Sequence, residues 1–125
     1  RCVMKIVHMD EVIKEPFSSP LFTGPGCTRQ PLAAGSSNFN MNIVNFSKGV
    51  TNKLHTHESD QILIVTSGTG IIATETEEHT VTTGHVALIP AGEKHWHGAA
   101  DGHDFAHVSL TRPDSETEMF LPEGD

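Results

Sequence analysis

Between residues 39 and 110 the chain is cut into short apolar segments, each closed by Gly, Pro, Ser or Asp, and none supports a helix longer than two or three turns. The segments are 39–46, 61–66, 70–74, 79–82, 86–89, 95–99 and 105–110; the breaks include Ser47-Lys48-Gly49, Thr83-Gly84, Pro90-Ala91-Gly92 and Ala100-Asp101-Gly102. Period-two alternation between turn signals specifies strands, and many short strands at near-regular spacing specify an antiparallel sandwich or barrel. A chain of 125 residues buries one core, so a single domain over 1–125 is expected, with its barrel over about 39–110. Upstream, 3–7 reads as a short strand, 10–15 as one or two helical turns stopped by Pro16, and 18–37 as a loop with room for an edge strand.

Ile62, Leu63, Ile64 and Val65 are apolar without alternation, so both faces of that strand should be dry. One face can line the barrel. The other needs a cover, supplied either by a second copy of the chain in a homodimer or by the N-terminal strand or loop. Eight Lys and Arg stand against 16 Asp and Glu, a formal charge of −8, and the basic residues are scattered; this argues against a nucleic-acid or anionic-membrane partner. The acidic stretches at 75–78 and after Asp114 read as solvated loop and tail. The N-terminus lacks the pattern of a secretory signal, Met4 is a plausible natural start, and Cys2 and Cys27 have no spacing of a clip or disulfide scaffold. A cytoplasmic protein is the expectation.

Nine histidines in a chain of this size are an excess, and six lie in three places: His55 and His57, His95 and His97, His103 and His107. Alternate side chains of a strand share a face, so His55, His57 and Gln61 point the same way, as do His95 and His97, with Trp96 opposite. Neutral imidazoles held by a rigid wall suit a first-row divalent ion. Two histidines from one strand, a third from a strand across the barrel and an amide oxygen would leave about two positions of an octahedron open to water or substrate.

The patterns Gly49-x5-His55-x-His57-x3-Gln61-x6-Gly68 and Gly84-x5-Pro90-x-Gly92-x2-His95 resemble the two motifs of the cupin superfamily, in order and in spacing. The resemblance implies an all-β fold, the cupin jelly-roll β-barrel or double-stranded β-helix, with His55, His57 and His95 as metal ligands. Most cupins carry Glu where this chain has Gln61, which either ligates through its amide oxygen or hydrogen-bonds a ligand histidine. A shell of three imidazoles and an amide leaves a divalent ion its full charge, and makes it a stronger Lewis acid toward anions and polarised carbonyls. More narrowly, His-Thr-His-x3-Gln-x-Leu-Ile-Val-Thr-x-Gly at 55–68 and Pro-x-Gly-Glu-Lys-His-Trp-His-Gly-Ala at 90–99 resemble small bacterial cupins that include manganese-dependent hydroxynitrile lyases. That resemblance implies manganese, with iron, zinc, nickel or cobalt as alternatives, and a base on a late barrel strand, where His107 is the matching position.

The functional expectation is a metal-dependent lyase or isomerase acting on a small oxygenated substrate, with His107 or His97 moving the proton. A cupin dioxygenase and a non-catalytic metal- or metabolite-binding module are the alternatives. Phe39, Met41 and Ile43 alternate on the strand before the first motif, and are expected either to wall the substrate pocket or to pack in the core. His8, His79 and His103 are expected at the surface.

Overall fold

One long strand organises the molecule. In the computed structural model, which describes residues 3–120, β5 (Gln61–Thr74) pairs antiparallel with four other strands. The remaining strands are β1 (Glu15–Pro16), β2 (Thr28–Pro31), β3 (Asn40–Phe46), β4 (His55–His57), β6 (Glu78–Thr82), β7 (Val86–Ile89), β8 (His95–Ala99), β9 (Phe105–Thr111) and β10 (Thr117–Met119). The sheet runs β1-β2-β3-β9-β5-β8-β4-β10, with β6 and β7 also on β5, and it curls on itself as an antiparallel barrel-like wall.

The first half of β5 pairs with β7 and β9, and the second with β6 and β8. Between them lies an irregularity at Val65–Ser67, followed by Gly68 at φ 77°. A bulge adds one residue and reverses which parity faces inward: Leu63 and Val65 are buried before it and Ile72 after it. A side chain at Gly68 would put Cβ 2.0 Å from the Asp104 carbonyl oxygen, so both the backbone conformation and the space demand glycine. The two segments expected at 61–66 and 70–74 are therefore one bent strand.

The main core lies inside the curl and joins Phe22, Val44, Phe46, Leu63, Val65, Ile72, Ile89 and Phe105. A smaller cluster of Ile43, Ala106 and Val108 sits on the outer face of β3 and β9, flanked by Leu32 and Met41. Gln30 is buried beside it, donating to the Met9 and Val12 carbonyls and accepting from Asn45, so the N-terminal segment is tied onto this face.

Several expectations are corrected. Residues 3–7 form no strand: Val3, Met4 and Ile6 are exposed and have no ladder partner. The helical turn is a single 3-10 turn, Met9–Glu11, with the His8 ring accepting from the Asp10 amide, and the chain is already extended at Glu15. The region after Asp114 is not all solvated tail, because β10 pairs with β4. Cys27 is buried against the main core; Cys2 and the last five residues of the acidic tail lie outside the described residues. None of the described helices is long and apolar enough to cross a membrane.

Candidate metal centre

β4 and β8 pair at one position, His55 opposite His95, and this places the histidines of the two sequence motifs side by side. Their ring centroids are 4.2 Å apart; His57 lies 4.9 Å from His55 and 5.4 Å from His95. Each of the three rings is anchored through Nδ1: His55 to the Lys53 carbonyl at 2.6 Å, His95 to the Glu93 carbonyl at 2.8 Å, and His57 to the Thr117 hydroxyl of β10 at 3.0 Å. A neutral imidazole that donates from Nδ1 carries its lone pair on Nε2, the tautomer a metal ligand needs. The His57 Nε2 is buried with no partner of good hydrogen-bond geometry.

Gln61 enters from β5. Its amide nitrogen donates to the Ser109 hydroxyl at 3.0 Å, and its carbonyl oxygen stands 3.0 Å from His95 Nε2. With His95 donating through Nδ1, these are two acceptors face to face, which repel unless a cation or proton lies between them. Rotating the amide would satisfy both groups in a metal-free protein, but would turn the ligand oxygen away.

Burial fixes the protonation state. It pushes His55 down to about 3, helped by the neighbouring His95, and pushes His57 to about 4, with His95 adding to the effect. The same desolvation lowers His95, although its bond to the Glu93 carbonyl and the Glu93 charge oppose it. All three are neutral at neutral pH.

A second pair stands behind the first. His97 of β8 and His107 of β9 are buried, and their Nδ1 and Nε2 atoms lie 3.0 Å apart. His107 Nδ1 faces the Val108 carbonyl at 3.2 Å, so His107 Nε2 is the acceptor and His97 the donor. Asn52 packs on His97: its carbonyl accepts from the His97 amide at 2.8 Å, and its nitrogen sits 3.4 and 3.3 Å from the two ring nitrogens. Burial lowers His107 to about 4 and His97 well below the usual imidazole range, with the adjacent His107 the next cause. His55, His95 and His97 offer ligand atoms all within 4.8 Å of one another, so the buried histidines could hold a metal ion. His97 thus stands between the motif histidines and His107.

His55, His57 and Gln61 of the first group and both histidines of the second line one cavity of about 180 Å³. From β3 it is lined by Asn40, Asn42, Val44 and Phe46. The apolar wall expected from Phe39, Met41 and Ile43 is on the other side of the strand. Ile43 belongs to the outer cluster, Met41 packs beside it, and Phe39 is exposed and precedes the strand. Of the two expectations for 39–43 the core alternative holds for Ile43 and, at the margin of its cluster, Met41: the apolar face of the strand meets the outer cover and the polar face meets the cavity.

A match to the cupin domain covers residues 42–110, more than half of the chain. The chain belongs to the cupin family. It is 38% identical over 94 residues, 73% of its length, to the (R)-mandelonitrile lyase of Granulicella tundricola, a match spanning 63% of that relative. A solved cupin-like protein from Thermotoga maritima superposes with a TM-score of 0.80 at 29% identity, covering 89% of this chain and 88% of that one. The polyketide cyclase RemF from Streptomyces resistomycificus superposes with a TM-score of 0.81 at 23% identity, covering 97% and 89%, and shares the fold.

Within this cupin fold the motif glycines occupy the turns assigned to them, Gly49, Gly84 and Gly92 all having positive φ. Trp96 pairs with Ala73 and is absent from the cavity wall; His8, His79 and His103 are exposed. Four residues at the site were not found from sequence: Thr117, Ser109, Asn52 and Arg29. Ser109 had a signal, since it shares parity with His107. Arg29 and Thr117 come from segments outside the two motifs and reach the site through the pairing of β2 with β3 and of β10 with β4, whereas Asn52 stands at an unspecified position within the first motif and is placed by an isolated bridge to Phe22.

Proposed function

We propose that the chain is a metal-dependent lyase that cleaves small hydroxynitrile-like substrates, with one divalent ion held by His55, His57, His95 and the Gln61 carbonyl. The observation that carries this reading is the clustering of three imidazoles, each tied back through Nδ1, two of which, His55 and His57, line a cavity that the His97–His107 pair also lines. The partnerless, buried Nε2 of His57 favours it over His97 as third imidazole ligand. His97 already engages His107 through one nitrogen and packs against Asn52. Manganese(II) is the ion proposed, on the resemblance of both motifs to manganese-dependent cupins. The 38% identity to a mandelonitrile lyase supports the reaction class.

When bound, the ion acts as a Lewis acid toward the substrate oxygen. The chain's own residues do the rest. His97 and His107 are neutral and share one N–H···N bond, so a hydroxyl proton taken by His97 displaces its Nδ1 proton onto His107 Nε2. As the hydroxyl becomes a carbonyl, the carbon–cyanide bond breaks and its electron pair leaves with cyanide. The imidazolium returns the proton, giving aldehyde and hydrogen cyanide. Asn52 keeps the His97 ring in position, and Phe46 packs edge-on against the same ring, with Val44 beside it on the cavity wall.

The test is metal content by elemental analysis of untagged protein, wild type beside His95→Ala, followed by mandelonitrile cleavage with manganese restored. The expected result is near one equivalent of metal, lost in the variant, together with cleavage. Stoichiometric metal without cleavage would overturn the lyase reading and leave the metal site; no metal after reconstitution would overturn both.

A further inference from the structure

The chain carries a formal charge of −8, yet none of the described Asp and Glu residues lines the cavity, and the one cation among its described lining residues is Arg29. With neutral imidazoles and a neutral amide around it, such a cavity is electropositive, and more so with a divalent ion inside. We propose that it takes an organic carboxylate, held by the Arg29 guanidinium while the substrate's reacting oxygen lies at the metal end. This rests on the metal-site reading above and adds the substrate's charge to it.

The placement follows from register. Arg29 in β2 is opposite Val44 in β3, and Val44 is opposite His107 in β9, so the three residues form one row across the inner face. Two strand spacings separate Arg29 from His107, about 10 Å between backbones. A molecule with a carboxylate a few bonds from its reacting oxygen spans that gap once the two side chains reach inward. Asn40 and Asn42 line the same wall and offer amide donors beside the guanidinium.

The guanidinium is held but not neutralised. Its carbon lies 4.7 Å from the Phe17 ring centroid, a cation–π contact that holds the group without neutralising its charge. Its Nε is buried without a hydrogen-bond partner. Glu15 approaches at 3.9 Å, but both side chains are about half exposed and the pair is long, so it competes only weakly with a ligand carboxylate.

The experiment is calorimetric titration with mandelate and with its neutral amide, mandelamide, on manganese-loaded and on chelator-treated protein. Wild type, Arg29→Gln and Glu15→Gln are compared, with manganese stoichiometry measured on each. Wild type is expected to prefer mandelate by about tenfold or more, Arg29→Gln to lose that preference at unchanged metal content, and Glu15→Gln to strengthen it a few-fold. Equal binding of the two probes by wild type, an unchanged ratio in Arg29→Gln, or no binding of either at millimolar concentration would overturn the proposal. Failure of wild type to hold manganese would instead overturn the metal reading, while the ratio in metal-free protein still decides the role of Arg29.

Discussion

Five of the nine histidines, His55, His57, His95, His97 and His107, differ in function by a few ångströms of placement, and substitutions separate them. His57 and His97 both lie near the His55–His95 pair, but only His57 has a buried ring nitrogen with no partner. His57→Ala is therefore expected to lose manganese, with affinity falling by more than the 10- to 100-fold typical when a supporting partner is removed. His107→Asn is expected to keep its metal and lower kcat about 10²-fold or more, the usual worth of a positioned general base. His97→Asn is expected to behave like His107→Asn. Elemental analysis beside steady-state kinetics reads both quantities, and metal lost from His97→Asn but retained in His57→Ala would reverse the assignment.

At the scale of the element, β5 serves both halves of the wall only because it bends at its bulge. Gly68→Ala would have to accept a left-handed φ and a contact with the Asp104 carbonyl that no real Cβ makes. The expected cost is about 2–4 kcal/mol, combining backbone strain with displacement of β9, and denaturant unfolding measures it. The same bulge explains what the sequence withheld. Period two is legible within 61–66 and within 70–74, and the alternation of His55, His57 and Gln61 placed those three side chains together correctly. A parity argument cannot cross an inserted residue, so the two segments read as separate strands. On β3 the alternation itself was legible, but its direction was not, because the outer face of this wall is apolar and its inner face carries Asn40 and Asn42. The motif histidines were visible because the strand period sets their facing. Arg29 and Thr117 were not, because long-range pairing alone brings them to the site.

At the scale of the whole molecule, the buried histidines tie stability to pH in the metal-free protein. His55, titrating at about 3, and His57 and His107, at about 4, all lie below the ordinary value of 6.5. The unfolded chain therefore binds more protons than the folded one between about 6.5 and 4, and stability rises with pH across that interval. It should be full above about 6.5 and fall as the pH drops through 6 toward 4, with His55 extending the loss toward 3. Denaturant midpoints of chelator-treated protein between pH 8 and 4 would show the decline; a flat profile would mean that the rings are hydrated in solution.

The outer face sets a second property of the whole molecule. Ile64 pairs with Val86 and Ile62 with Leu88, and on the other side Ile62 and Ile64 pair with Leu110 and Val108, so an apolar band crosses three strands. The N-terminal segment is tied down beside the β3 end of this surface through Gln30, while Val86 and Leu88 at the other end are each 65% exposed. Water against such a band is costly, and the same chain leaves Met4, Ile6 and Ile13 exposed upstream. Two copies related by a twofold axis would let each cover the other's band, with those upstream residues adding to the roughly 800 Å² per partner that a stable interface needs. Light scattering is expected to give the mass of two chains for wild type and of one for Leu88→Glu. The substitution lies outside the main core and the cavity, so the monomeric variant should keep its metal; a wild-type monomer at micromolar concentration would leave the band to some other partner and remove the homodimer.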